Sequence, residues 1–200
     1  MINPLNNINP LVEEALNRID RCDFVPDVLR ENAGLDRPVP IGFGQTCSQP
    51  RLVAYMTDLL NVEVGSRVLE IGTGSGFQTA LLLELGCYVY SMEIFEELAL
   101  SAESRLSRLG YDNFKIRIGD GSVGWIEEAP FDCCIFTCAT KEFPEVITEQ
   151  LKTGGRVVFP HEVGKKTQNL MTGIKNNNGK LECQFATSVL FVPLLKKRKD

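Results

Sequence analysis

The chain reads as an α/β protein: a mostly parallel sheet with helices on both faces, finished by a C-terminal antiparallel hairpin. Three observations predict this. Strand-length apolar runs alternate with helix-periodic segments between Arg67 and Phe159. The first such run ends in a glycine-rich loop, Glu70-Ile-Gly-Thr-Gly-Ser-Gly76, which opens into a helix-like segment. Beyond Phe159 the alternation stops, and two strand-like runs flank the turn Lys175-Asn-Asn-Asn-Gly-Lys180.

The elements follow in order. Asn9-Pro10 caps a helix whose apolar residues Leu11, Val12, Ala15, Leu16 and Ile19 recur at helical spacing. A Pro/Gly-rich connector over 34–44 leads to Gln45-Thr-Cys-Ser-Gln-Pro50. Pro50 sits in the first turn of a helix that turns Leu52, Val53, Met56, Leu59 and Leu60 inward. After the strand at 67–71 and its glycine loop come a helix over 77–85, a strand over 88–92 and a helix over 96–109. A strand over 114–118, the turn Gly119-Asp-Gly121, a strand over 131–136, a helix over 144–151 and a strand over 156–159 complete the alternation. The hairpin pairs 170–174 with 182–192. No repeat or second domain is visible, so residues 1–200 read as one domain. Residues 1–48 form an N-terminal helical segment on the substrate side, and 49–200 form the core and hairpin.

Composition narrows the function classes. Two hundred residues, 44% hydrophobic and 24% charged, suit one globular core. No apolar run reaches the ~20 residues of a membrane span, and the first residues lack a leader pattern, so a cytoplasmic location is expected. A net charge of −5 argues against a nucleic-acid partner held by phosphate neutralisation. The basic run Lys196-Lys-Arg-Lys199 reads as a solvated tail. Seven cysteines, an odd number without a Cys-x-x-Cys pair, read as reduced thiols with no disulfide framework or metal site.

The glycine loop carries the chemistry. Residues without a Cβ let a strand turn sharply and let backbone approach a ligand. A second apolar strand ends in Glu93, seventeen residues after Gly76, where a carboxylate can accept hydrogen bonds from both hydroxyls of a ribose. A dinucleotide site favours Gly-x-Gly-x-x-Gly facing a pyrophosphate. Here the third glycine comes one residue early, and Glu70 would repel a pyrophosphate but suit the cationic methionyl end of S-adenosylmethionine. Thr73 lies between the first two glycines, Gly72 and Gly74. Asp120 could bind an adenine amino group, although Gly119-Asp-Gly121 is also an ordinary turn. Ser48 and Thr137 fall at the same carboxyl-end rim. Ser48 taken alone reads first as a helix cap before Pro50, the commoner use of serine.

These residues resemble the protein-L-isoaspartate O-methyltransferases, especially the bacterial type, from about Asp23 to Leu195. Pro40-Ile-Gly-Phe-Gly-Gln-Thr-Cys-Ser-Gln-Pro50 is similar to the family's Pro-Ile-Gly-x-Gln-Gln/Gly-Thr-Ile-Ser-x-Pro region. The glycine loop, Gly119-Asp-Gly121 with Gly124-Trp125, Ala129-Pro-Phe-Asp132, Leu151-Lys-Thr-Gly-Gly155 and Phe191-Val-Pro-Leu194 follow in order. The resemblance implies a Rossmann-like fold and a methyl transfer from S-adenosylmethionine to the free α-carboxylate of L-isoaspartyl residues in damaged proteins. The ester then collapses to a succinimide that hydrolyses partly to aspartate. It places Ser48 at the active-site serine, Thr46 and Cys47 beside the cofactor, and Gly72, Gly74, Glu93, Asp120 and Gly121 at cofactor contacts.

Such a reaction needs few catalytic groups. A main-chain-type carboxylate has a pKa of ~3.5, so it is already an anion at neutral pH and needs no general base. What remains is placement of nucleophile, methyl carbon and leaving sulfur, and a serine hydroxyl can orient the carboxylate. Three positions depart from the family. Cys47 replaces isoleucine, Thr137-Cys-Ala-Thr140 replaces Thr-Ala-Ala-Pro, and Pro160-His-Glu-Val-Gly164 inserts two residues into Pro-Val-Gly as a loop bearing a surface His161. The N-terminal segment reads as about one helix shorter than usual. Competing readings are a same-fold enzyme acting on another carboxylate, an inactive cofactor-binding module, and a nicotinamide oxidoreductase.

Overall fold

A computed structural model describes residue 5, residues 7–164 and residues 167–196. Seven strands form one sheet: β3 (Arg67–Ile71), β4 (Tyr88–Glu93), β5 (Phe114–Ile118), β6 (Phe131–Phe136), β7 (Leu151–Gly164), β8 (Thr167–Lys175) and β9 (Leu181–Val189). Their order is β5-β4-β3-β6-β7-β8-β9. Strands β5 to β7 pair in parallel, and β8 and β9 add antiparallel. The chain leaves β3 toward β4 and returns to place β6 on its other side. The sheet therefore has its switch point between β3 and β6, where the crevice for a ligand opens.

Among the described residues five α-helices accompany the sheet: α1 (Pro10–Asn17), α2 (Pro50–Leu60), α3 (Phe77–Glu84), α4 (Glu96–Arg108) and α5 (Glu145–Gln150). Alternation along the strands sends neighbouring residues to opposite faces. Val68, Val89, Cys133 and Ile135 pack in one cluster with Val53 and Met56 of α2, Phe77 and Leu81 of α3, and the N-terminal Val12, Ala15 and Phe24. Leu69, Tyr90, Cys134 and Phe136 pack on the other face with Phe131, Ile147 and Phe159. All seven cysteines are free thiols, and Cys87, Cys133 and Cys134 are core residues. Among the described residues no helix is long and apolar enough to cross a membrane.

Local signals explain the helix ends. Asn9 caps α1 by accepting from the Leu11 N–H at 2.9 Å, with Pro10 in the first turn. The cap of α2 differs from expectation: Gln49, not Ser48, is the capping position, and no side chain there bonds the helix. The first turn is held from outside, because Asp36 accepts from the Arg51 N–H at 3.0 Å and from the Gln49 amide at 2.8 Å. A long-range carboxylate does what a local cap would do.

Three departures concern strands. The Pro/Gly connector holds a small hairpin, β1 (Val39–Gly42) paired with β2 (Gln45–Cys47). Strand β7 is far longer than 156–159, and it begins where α5 ends. Its early residues bulge: between Phe131↔Leu151 and Cys133↔Arg156, two steps on β6 meet five on β7, through Gly154 at φ +79°. The segment 160–164, expected as an inserted loop, continues β7 and pairs with β8. Pro160 has no N–H to give a ladder, and it lies past the end of β6, where its carbonyl accepts from the Thr140 N–H at 2.9 Å. Thr140 stands where the resembling family has proline, which has no N–H to give. The two departures are thus one contact. His161 accordingly lies in a strand, half-buried, with its ring 6.3 Å from that of Phe159 and its Nδ1 buried without a partner.

The basic run at 196–199 lies, apart from the exposed Lys196, outside the described residues.

Candidate active site

A cleft of about 730 Å³, counted with its open mouth, lies at the carboxyl ends of β3, β4 and β6. Its floor is the turn after β3. Gly72, Gly74 and Gly76 all take positive φ, +99°, +55° and +83°, a conformation that side chains with a Cβ rarely adopt. At Gly72 a Cβ would overlap the Thr137 hydroxyl. That hydroxyl instead donates toward the Gly72 carbonyl at 2.5 Å and lies 3.1 Å from that of Ile71, tying the end of β6 to the loop. Beneath the loop Thr73 and Ser91 share a buried hydroxyl contact of 2.6 Å.

Glu93 is 5% exposed and lines the cleft. Its Oε2 accepts from the Gly74 N–H at 2.8 Å, and its Oε1 from the Ile94 and Phe95 N–H groups at 2.9 and 3.1 Å. These backbone donors hold the carboxylate at the strand tip, with lone pairs left for a diol. Glu70 is different. It is fully buried, does not line the cleft, and takes a 2.6 Å hydrogen bond from Thr79 of α3. Its other oxygen has no partner, and burial pushes its pKa up to about 7. The structure thus removes Glu70 from the direct contacts expected of it.

The remaining expected residues divide. Thr46, Cys47, Ser48, Thr73, Gly121 and Thr137 line the cleft. Asp120 does not, although both its neighbours do; its Oδ1 accepts from the Ser122 N–H at 2.9 Å and begins the short turn 121–123. Gly76 caps α3 at φ +83°, where a side chain would be strained, although the space toward Ala102 and Leu106 of α4 would admit a Cβ. Among the described residues the Ser48 hydroxyl makes no hydrogen bond, so it is free to donate into the cleft; only its carbonyl is engaged, by Arg21.

Sequence reasoning missed several lining residues. Ile94 and Phe95 follow the strand-tip acid and lie where a ligand on Glu93 would meet them. Residues 192–195 form a wall, held by Ala139 N–H to the Val192 carbonyl at 2.8 Å and Leu194 N–H to the Ala139 carbonyl at 2.7 Å. Gln168 secures the same segment by bonding both the N–H and the carbonyl of Phe191 at 2.6 and 3.0 Å. The Phe-Val-Pro-Leu motif was the available signal for that wall.

The family described as protein-L-isoaspartate(D-aspartate) O-methyltransferase (PCMT) matches residues 5–199. The chain belongs to this family. Among the methyltransferase's relatives, the protein-L-isoaspartate O-methyltransferase 2 of Syntrophobacter fumaroxidans is 48% identical over 187 residues, covering 94% of this chain and 76% of its own. That of Polaromonas sp. strain JS666 is 46% identical, covering 94% and 89%. A solved protein-L-isoaspartate O-methyltransferase superposes with a TM-score of 0.83 at 27% identity, covering 93% of this chain and 61% of its own. A Plasmodium falciparum structure, described as a beta-aspartate methyltransferase in complex with S-adenosyl-L-homocysteine, gives 0.81 at 26% identity, covering 94% and 92%. The Rossmann-like methyltransferase fold, with its parallel sheet and antiparallel C-terminal strands, is shared with both.

Proposed function

We propose that this enzyme methylates the free α-carboxylate of L-isoaspartyl residues in damaged proteins, using S-adenosylmethionine. The observation that carries the reading is one cleft lined by Glu93, the Gly72-Thr73-Gly74 turn and Ser48, whose hydroxyl is unengaged. The cofactor fits these residues: Gly72 and Gly74 bring positive-φ backbone to the cleft lining, and a buried acid ends the second strand. When bound, the cofactor supplies an electrophilic methyl group on a sulfonium.

The protein's residues bind and orient. Glu93 accepts from the ribose hydroxyls while Gly74, Ile94 and Phe95 hold it in place. Gly119 and Gly121 form the wall for the base, with Asp120 at its edge as the acceptor for an adenine amino group. Glu70 braces α3 beneath the loop through Thr79. Ser48 would donate to one oxygen of the acceptor carboxylate and so orient it; the acceptor is an anion at neutral pH, so no proton need be removed. Thr46 and Cys47 form the wall between the two ligands, and Thr137 and residues 192–195 bound the acceptor side.

The reading includes one domain, with residues 1–48 on the substrate side. It also includes a cytoplasmic, monomeric protein without nucleic-acid or membrane partners; the seven free thiols support the reducing compartment and the net charge of −5 the lack of a nucleic-acid partner.

The test compares isoaspartyl with matched aspartyl peptides and labelled cofactor. Wild type should methylate the first and spare the second. Because Ser48 makes no capping bond, Ser48→Ala should leave stability within about 0.5 kcal/mol while lowering turnover roughly tenfold or more. Equal methylation of both peptides, or full turnover in the variant, refutes the corresponding part.

A further inference from the structure

Arg21 is the most thoroughly engaged side chain outside the cleft. It is 6% exposed, at the start of a 3-10 turn that spans Arg21–Phe24. Nη1 donates to the carbonyls of Ala33 and Leu35, each at 3.0 Å. Nη2 donates to those of Arg37 at 2.8 Å, Cys47 at 3.2 Å and Ser48 at 2.9 Å. Every acceptor is a neutral backbone oxygen. Among the described residues no carboxylate lies within ion-pair distance, and Nε is buried without a partner. The guanidinium carbon also lies 5.7 Å from the ring centroid of Phe77, a cleft residue.

We propose that Arg21 is a positioning residue for the methyl transfer: it clamps the Cys47–Ser48 backbone, and its unneutralised charge behind Ser48 draws the acceptor carboxylate into the cleft. This rests on the function proposed above. A buried cation normally sits against an anion, because desolvation is otherwise uncompensated. Here five carbonyl dipoles hold it and leave its net charge uncancelled, at a position one residue's backbone away from the hydroxyl that meets an anionic substrate. The planar fork matters too. The four N–H groups of the two terminal nitrogens, in fixed directions, join the 33–37 loop to the β2–α2 junction, whereas an ammonium has three donors and no plane.

Two variants separate clamp from charge. Arg21→Lys keeps the charge and loses the fork; Arg21→Gln loses both. With isoaspartyl peptide, the lysine variant should keep KM within about twofold and lose roughly tenfold in kcat, since misplacing a reacting group slows the step. The glutamine variant should in addition raise KM about tenfold, as removing a charge that steers an anion does. Calorimetric affinity for S-adenosyl-L-homocysteine should fall no more than about threefold in both, well short of the loss in kcat, because the ribose and loop contacts come from Glu93 and Gly74 and only the Thr46–Cys47 wall loosens. Hydrogen exchange over 45–50 should rise in both, relative to α3. A purely structural role would lower cofactor affinity and turnover together, and that result overturns the proposal, as does a lysine variant with wild-type kcat and unchanged exchange. If the glutamine variant does not fold, the lysine variant decides. If wild type ignores isoaspartyl peptide while Arg21→Lys loosens 45–50, the clamp stands and the assigned reaction falls.

Discussion

Two buried glutamates, one at each tip of neighbouring strands, have opposite lives in this protein. Glu93 is ringed by three backbone N–H donors, and Glu70 has one hydroxyl and an orphaned oxygen. Removing Glu93 therefore does more than delete ribose contacts. Glu93→Ala should weaken S-adenosylmethionine binding by about tenfold or more and also lower stability by roughly 1–3 kcal/mol, because three donors lose their acceptor. Titration calorimetry beside urea melts checks both; unchanged affinity would remove Glu93 from the cofactor site. Glu70 predicts a pH effect. Burial raises its pKa from the ordinary 4.5 to about 7 in the folded state. Below pH 4.5 both folded and unfolded forms hold the proton, so its contribution to stability is fully present. As pH rises from 4.5 to 7 the unfolded chain ionises first, and stability is lost, on the order of 3 kcal/mol by the end of that window. Glu70→Gln, which cannot ionise, should flatten that part of the ligand-free protein's stability profile. Parallel wild-type and variant curves between pH 4.5 and 7 would contradict the assignment.

At the scale of elements, the β3–α3 turn is fixed by β6 as much as by its own glycines. Gly72 carries both a left-handed φ and a neighbour, the Thr137 hydroxyl, that leaves no room for a Cβ. Gly179 in the β8–β9 turn has a similar φ of +77° but open space around it. Gly72→Ala should thus cost more than Gly179→Ala: roughly 1–3 kcal/mol for strain plus overlap, against about 1 kcal/mol for strain alone. Adding Thr137→Ala should recover the difference, and equal effects at the two glycines would show that β6 does not constrain the turn. The strands at the sheet's far end teach a related lesson. Pattern alone placed β5 and β6 at their observed bounds, because an apolar run between turn residues has one reading. It shortened β7, because Gly154, Gly155 and Pro160 look like strand breakers until the bulge against β6 and the bond to Thr140 are seen.

The whole molecule folds around two apolar clusters, and the N-terminal segment belongs to the larger. Phe24 is 1% exposed and packs its ring 5.6 Å from that of Phe77, while Arg18 meets Glu84 of α3 at 2.7 Å. Residues 7–48 should therefore unfold with the core. Phe24→Ala should lower stability by about 3–5 kcal/mol and shift a single calorimetric transition downward. A separate early transition would show that the segment folds independently. By itself the sequence determined the alternation of strand and helix, the glycine turn, the strand-tip Glu93 and the family resemblance carried by the 40–50 and 191–194 motifs. All of these depend on residues close together in the chain, where steric preference and hydrophobic period act directly. Only tertiary structure decided the rest. It turned Glu70 away from the cleft and beneath α3, freed Ser48 from capping because Asp36 holds α2, and made Pro160–Gly164 a strand through Thr140. It also brought Arg21 against the carbonyls of Cys47 and Ser48. Each of these outcomes depends on which buried polar group finds its partner across a long stretch of chain, and a buried donor or acceptor takes whichever partner the packing brings within reach.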